Sequence, residues 1–555
     1  MFGHYGKLLC IDLTDGTQHI ESLDEAILRR VIGGIGLATH LLFEHAPEGV
    51  SPFAPENPLV LATSPFTATP LPGSLRFAAA AKSPLTGLIG TSLCSGRFAE
   101  QLKGCGVDAV VVTGRSPSLT WIHIAEGEVV FHPAGELTGL APVDTEARIC
   151  QMASDSAVAA IGRAGEERVR FASLVSGGRF AGRTGIGAVM GSKNLKAIAI
   201  CGSEPCLLFD AKAVGYAAES LRRAAPSNIR TLERMTTLDE MAALPGRNFQ
   251  EREFHGAQEL YEAVVAYLDR EPRRLEYETL WALGPNCAVF DAETLFEAAR
   301  LCDLFGLDSI SVGGTIAWAM ESFERGVLTI DDTDGLELNF GNHKALLQLI
   351  VAISRRQGVG DLLAEGCREA ARQVGRGSDE WAMHVKGLEL PGYHPATMKT
   401  MALALAVAAE GAHHNRSSAY DFDLEGPTSA RVREETSQLV ADAEDRSAVF
   451  DSLILNKFHR HYFEDFYAEA ANLLHRITGW DVVASDVCGA GGEVNQLKHR
   501  FNRREGWRRS DDTLPLRIGG GGTLDEMVTS YYRARGWGED GDMNEITRRS
   551  EECGD

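Results

Sequence analysis

The 555-residue sequence is short of positive charge: 54 Lys and Arg stand against 77 Asp and Glu, a formal net charge of -23. A surface of that sign repels phosphate backbones and anionic lipid, so nucleic acid and an anionic membrane surface are excluded as partners. Any anionic ligand needs a local basic patch. Long apolar runs are also missing. The longest, Met401 to Ala409, is far too short to cross a bilayer. Met1-Phe2-Gly3-His4-Tyr5-Gly6-Lys7 does not lead into the apolar segment of a secretory signal, and a cytoplasmic location without membrane contact is expected. The 11 cysteines are scattered singly, and no Cys-x-x-Cys occurs. The closest pair, Cys201 and Cys206, makes a weak metal signature, and a reducing compartment would keep all of them as thiols. There is no internal repeat and no low-complexity segment.

What is present is an ordinary globular balance, 44% hydrophobic and 24% charged, in a chain long enough for about three or four domains. From Lys7 to about Gly202 short apolar runs alternate with Gly, Pro and Asp clusters. Lys7 to Leu13, Leu59 to Ala62, Ala109 to Val112, Trp121 to Ile124 and Arg168 to Ala172 read as strands, and Gly96 to Lys103 as a helix. After Cys206 the period changes. Asp291 to Phe305, Thr315 to Gly326, His343 to Gln357 and Asp361 to Val374 carry apolar residues at three and four spacing and predict helices. Pro226 to Arg274 is polar, and Arg416 to Asp445 predicts a loop followed by a surface helix.

The stretch Gly182-Arg183-Thr184-Gly185-Ile186-Gly187-Ala188-Val189-Met190-Gly191-Ser192-Lys193-Asn194-Leu195-Lys196 packs four glycines and three cations into fifteen residues. Glycines allow close backbone approach, and Arg183, Lys193 and Lys196 supply charge, so a phosphate cradle and a purely structural turn both fit. The spacing is neither Gly-x-Gly-x-x-Gly nor a P-loop. Pro72 to Phe77, with Arg76, and Thr91 to Arg97, with Ser95 and Gly96, predict two further turns that can wall an anion. Asp303-Leu304-Phe305-Gly306-Leu307-Asp308 sets acids around a glycine-terminated helix end, and Asp451-Ser452-Leu453-Ile454-Leu455-Asn456 repeats the spacing. Such acids either cap helices or accept hydrogen bonds from a heterocycle.

Together these stretches, with Lys82-Ser83-Pro84-Leu85-Thr86-Gly87 and Asp511-Asp512-Thr513-Leu514-Pro515, resemble the aldehyde:ferredoxin oxidoreductase family of tungstopterin enzymes over nearly the whole chain. The resemblance implies an α+β fold: a β-rich N-terminal domain (1–205) followed by two mainly helical domains (206–390 and 391–555), with the cofactor buried between them. It implies a tungsten or molybdenum bis-pyranopterin with magnesium between the pterin phosphates. It also implies that no protein side chain is a ligand of that metal. Arg76, Ser95, Gly96, Gly182, Arg183, Gly185 and Gly187 are then expected at phosphates. Asp303, Gly306, Leu307, Asp308, Asp451 and Asn456 are expected at the pterins. Glu278, in Glu276-Tyr277-Glu278, matches a catalytic base, and His414, in Gly411-Ala412-His413-His414, a donor to the developing oxyanion.

The chain departs from that pattern where a four-iron cluster is usually held. No cysteine lies from Glu251 to Leu275, and Asn456 stands at the fourth position, so an iron–sulfur cluster is expected to be absent. Ile454 replaces a motif glycine. Glu297-Ala298-Ala299-Arg300 replaces a Glu-x-x-His metal site, although a homodimer in which Glu297 and Arg300 pair remains expected. The leading functional expectation is oxidation of an aldehyde to a carboxylate, or the reverse, with electrons passed to an external carrier or a cluster-bearing subunit. The alternatives are a non-redox lyase or hydratase of the same cofactor, and a cofactor-holding subunit without catalysis.

Overall fold

The computed structural model describes residues 1–224, 244–252, 256–268, 275–424 and 433–542. Parts of the polar stretch Pro226 to Arg274 and of the loop after Arg416 lie outside them. Two six-stranded sheets make up the first part of the chain. The first runs β2 (Thr17–Ser22), β1 (Lys7–Asp12), β6 (Ala109–Thr113), β3 (Leu59–Ala62), β4 (Arg76–Lys82), β5 (Ile89–Ser95). The second runs β11 (Arg179–Ala181), β10 (Leu174–Ser176), β9 (Ala157–Ala160), β12 (Leu195–Cys201), β7 (Thr120–Ala125), β8 (Glu128–Pro133).

The two-residue period of a strand sorts their side chains. Leu9 and Ile11 of β1 face inward with Ile122, Ile124, Ile198 and Ile200 of the second sheet, forming a core between the sheets. Leu8 and Cys10 point the other way. There they join α1 (Gly34–His45), the end of α8 (Arg433–Ser452), α9 (Phe466–Thr478) and α10 (Ala484–Arg504) in a second core. Because both faces of this sheet are covered, runs such as Ala109-Val110-Val111-Val112 are apolar throughout.

The largest core belongs to the helices α4 (Tyr277–Leu283), α5 (Ala292–Phe305), α6 (Ser309–Glu324), α7 (Lys399–Val407) and α11 (Gly522–Ala534). Trp281, Ile316, Leu403, Val440 and Tyr531 share it with Val169 and Phe171 from the β-rich part. The β-rich beginning followed by helices is the architecture expected from the sequence.

Three local expectations are corrected. Arg168 to Ala172 is not a strand: Arg168 sits at φ 56, and the segment's backbone pairs with residues 306–308 instead of a sheet. Ser173 N donates to Gly306 O at 2.8 Å and Asp308 N to Phe171 O at 3.0 Å. Thr91 to Ser95 and Arg76-Phe77 are not turns, because they pair as β5 and β4, with Arg76 opposite Ser95. The helix expected from Asp361 to Val374 breaks at Gly366, φ 82, into Val359–Leu363 and Cys367–Val374.

The glycine-rich stretch forms α3 (Ile186–Ser192), packed against α2 (Arg163–Glu166). A Cβ at Gly191 would lie 1.8 Å from Gly165 O, and one at Gly187 2.3 Å from Ser173 O. Gly489, in α10, has nothing within 4 Å. Gly191→Ala should therefore lower the thermal midpoint through a net loss of about 1–3 kcal/mol. Gly489→Ala should raise it through the helix preference of about 1 kcal/mol. Equal midpoints for both variants would contradict this packing.

Candidate functional site

The site is assembled around Arg183, just ahead of α3. The guanidinium is buried, and it donates from Nε to Asp308 Oδ2 at 3.2 Å, from Nη1 to Ala412 O at 2.6 Å and from Nη2 to Glu389 O at 2.7 Å. Asp308 is the N-cap of α6, accepting from Ile310 N at 3.1 Å and from the Ser311 hydroxyl at 2.7 Å. One cation thus ties the glycine-rich loop to the start of α6, to Glu389 and to the loop that carries His414.

Glu278 lies in the first turn of α4. Its Oε2 accepts from Gly392 N at 2.9 Å, whereas Oε1 points toward His414 Nδ1, 3.8 Å away. Neither atom has a hydrogen-bond partner among the described residues. Burial pushes the Glu278 carboxyl up to about 7, and burial with Lys457, Arg183 and Arg416 nearby holds His414 well below the usual imidazole range. A carboxyl that titrates near pH 7 therefore faces an uncharged imidazole, the two atoms just beyond hydrogen-bond distance. The Tyr393 ring lies 6.1 Å from that of His414 and stacks on Tyr420 at 5.3 Å.

Behind His414, the partly buried Arg416 donates to Glu410 Oε2 at 2.8 Å, Asp451 Oδ2 at 2.7 Å and Thr91 O at 2.9 Å. Glu410 also meets the Thr91 hydroxyl and Lys498. Burial alone would raise the Glu410 carboxyl, but Arg416 and Lys498 outweigh it and hold the group below its ordinary value.

A cavity of about 660 Å³ collects Arg76, Ser95, Gly96 and Asn456 together with Arg179. Arg76 Nη1 donates to Leu455 O at 2.8 Å, and its Nε is buried with no hydrogen-bond partner among the described residues. The chain runs from Asn456, in the cavity wall, to Lys457, which donates to the Asn415 amide oxygen next to His414.

The two acid-bearing helix ends are built alike. Gly306 N donates to Asp303 O at 3.3 Å and Leu307 N to Cys302 O at 2.9 Å, matched by Ile454 N to Asp451 O at 3.3 Å and Leu455 N to Phe450 O at 3.0 Å. Gly306 has φ 71, and Ile454 adopts φ 55 in its place. The left-handed conformation costs a branched residue about 1–2 kcal/mol. Complete burial of the Ile454 side chain, worth about 1.5–3 kcal/mol, offsets it. The acids differ, since Asp303 is exposed whereas Asp308 and Asp451 are buried in ion pairs.

Other sequence-derived residues are not brought to this site. Lys193 and Lys196 do not supply charge to a ligand. Lys193 Nζ donates to Pro55 O at 2.8 Å, and Lys196 Nζ donates to Leu140 O at 2.9 Å, Ile161 O at 2.8 Å and Glu166 Oε1 at 2.5 Å. Gly185 and Gly187 lie against the Arg170 and Ser173 carbonyls, while Gly182 keeps an open flank. Arg300 grips Glu297 through two bonds of 2.7 Å on its own helix. Tyr393, Glu389, Glu410 and Arg416 were not singled out from the sequence. Only the cluster of ionisable residues around His413-His414 hinted at the last two.

Two family descriptions match the chain: "Aldehyde ferredoxin oxidoreductase, N-terminal domain" over residues 8–202, and "Aldehyde ferredoxin oxidoreductase, domains 2 & 3" over 216–550. The tungsten-containing aldehyde ferredoxin oxidoreductase of Pyrococcus furiosus is 33% identical, covering 98% of this chain and 97% of its own. That of Pyrococcus abyssi is 32% identical over 98% of both. The WOR-like subunit of an aliphatic sulfonate oxidoreductase from Pyrococcus furiosus is 29% identical over 76% of both. Among solved structures, the active-site complex BamBC of benzoyl coenzyme A reductase with 1,5-dienoyl-CoA superposes with TM-score 0.86 at 22% identity, over 99% of this chain and 97% of that one. That likeness is one of fold.

Proposed function

The chain belongs to the aldehyde ferredoxin oxidoreductase family, and from that premise we propose that it oxidises a small aldehyde to a carboxylic acid, or runs the reverse, at a tungsten bis-pyranopterin. The observation that carries this reading is the Glu278–His414 pair: two buried polar atoms 3.8 Å apart, each without a hydrogen-bond partner among the described residues.

The residues fit the cofactor. The buried Arg76 Nε has no acceptor among the described residues, which suits a phosphate-binding group, and Ser95 and Gly96 line the same cavity. Arg76, Ser95 and Gly96 would hold phosphates, with Gly182 offering an open flank, while Arg183, whose three nitrogens already donate within the protein, would position the loop. Gly306, Leu307, Asp308, Asp451 and Asn456 would hold the pterins, with magnesium between the phosphates, whereas the exposed Asp303 is left to the helix end. When bound, the metal centre supplies the two-electron chemistry.

The chain's own groups handle the proton and the oxygen. Oxidising an aldehyde consumes one water and releases two electrons and two protons. Glu278 Oε1, poised near pH 7, takes one of those protons, and a neutral His414 offers its N–H to the substrate oxygen. Arg183 fixes the loop that presents His414.

The absence of cysteine from Glu251 to Leu275, with Asn456 at the fourth position, supports a chain without its own four-iron cluster. Electrons then leave to an external carrier of the ferredoxin type or to a cluster-bearing second subunit. The latter is favoured by the likeness to a protein named as a subunit. We place the protein in the cytoplasm, with a homodimer as its simplest assembly; among the described residues no helix is long and apolar enough to cross a membrane.

Elemental analysis of anaerobically purified protein tests the cofactor reading. One tungsten or molybdenum per chain with negligible iron is expected, together with turnover of a dye acceptor by aldehydes. About four irons per chain would overturn the missing cluster. Metal without any aldehyde turnover would favour the non-redox lyase or hydratase, or a holding subunit.

A further inference from the structure

Apart from the site above, the β1–β2 hairpin gathers three metal-binding side chains of different chemistry. Cys10 and His19 are directly paired across the hairpin, and Glu21 is paired with Leu8, two residues from Cys10 on the same strand face. Glu21 Oε1 lies 3.5 Å from Cys10 Sγ and 2.8 Å from His19 Nε2, and the three donor atoms all fall within 4.8 Å of one another. The register itself produces this convergence, since side chains facing each other across an antiparallel pair are neighbours on one face.

We propose that Cys10, His19 and Glu21 form a binding site for a zinc-like divalent cation. A tetrahedral centre with bonds of about 2.0–2.3 Å holds its donors about 3.3–3.8 Å apart. The thiol–carboxylate distance already lies in that range, and the carboxylate–imidazole distance enters it when the hydrogen bond between them opens by about half an ångström. One sulfur, one nitrogen and one oxygen donor select a borderline-soft ion such as Zn²⁺ over Mg²⁺ or Ca²⁺, which take oxygen alone. His19 and Glu21 are 64% and 44% exposed, so an ion can enter from solvent while Cys10 anchors it from the buried side. Water is available as the fourth donor.

The site has a physical purpose. β2 is the outermost strand of its sheet and is exposed along most of its length, so it carries the sheet's unpaired edge. A cation joining β2 to the buried Cys10 pins that edge to β1.

Cobalt titration of the full-length holoprotein, followed by difference spectroscopy, tests the assignment. One equivalent of Co²⁺ should produce a thiolate-to-metal charge-transfer band in the near ultraviolet, displaced by Zn²⁺. Cys10→Ser should abolish the band. His19→Ala and Glu21→Gln, at exposed positions that leave folding intact, should each weaken Co²⁺ binding by about tenfold or more. No band in the unaltered protein, or a band of undiminished affinity in His19→Ala and Glu21→Gln, would overturn the site.

Discussion

Glu278→Gln should lower aldehyde turnover by about 10²–10⁴-fold, the usual contribution of a positioned acid or base, with the tungsten content unchanged. The pH profile makes the prediction sharper. Burial brings the Glu278 carboxyl up to about 7, so in the oxidising direction the rate should rise with pH through about 7, as the base form appears, and then level off. The glutamine variant should show no inflection there. The stability consequence has the opposite sign. A carboxyl whose pKa is raised on folding favours the folded state at low pH, and that advantage is lost as pH rises through about 7. The unaltered protein should thus lose stability relative to Glu278→Gln on going from pH 5 to pH 8, while gaining activity. An unchanged rate in the glutamine variant would remove Glu278 from the reaction.

The second large effect is on stability. Arg416→Met should cost about 3–5 kcal/mol, because it leaves Glu410 and Asp451 as buried carboxylates without their shared cation. Irreversible inactivation on heating is the practical measurement for a chain of this size. Asp451→Asn in the Arg416→Met background should recover part of the loss, since it removes one of the two stranded charges. If Arg416→Met inactivated on heating as slowly as the unaltered chain, the ion-pair network would not be what holds β5 to the end of α8.

The alternation of short apolar runs and the later helical period carried the order of the elements, and boundaries shifted only where backbone decided them. Arg168 to Ala172 has the composition of a strand, yet it pairs with residues 306–308. Glu278 and His414 were legible through motifs, whereas what brings them together was not. Gly392 N, Ala412 O and Glu389 O hold the two loops in place, and main-chain atoms leave no letter in a sequence. Lys193 and Lys196 show the converse. Their charge is plain in the sequence, but the carbonyls and the carboxylate that absorb it come from Pro55, Leu140, Ile161 and Glu166.

The core on the outer face of the first sheet joins Leu8, Ile35, Val60 and Val111 to Val449, Phe466, Leu474 and Phe501. A nascent chain therefore cannot finish its earliest sheet when that sheet has been synthesised. At about 5–20 residues per second, the partners that cover it emerge tens of seconds later. During that interval the part of the apolar face that α1 does not cover stays exposed, so expression should depend on chaperone capacity. A fragment ending near residue 205 should aggregate unless the C-terminal helices are supplied in trans.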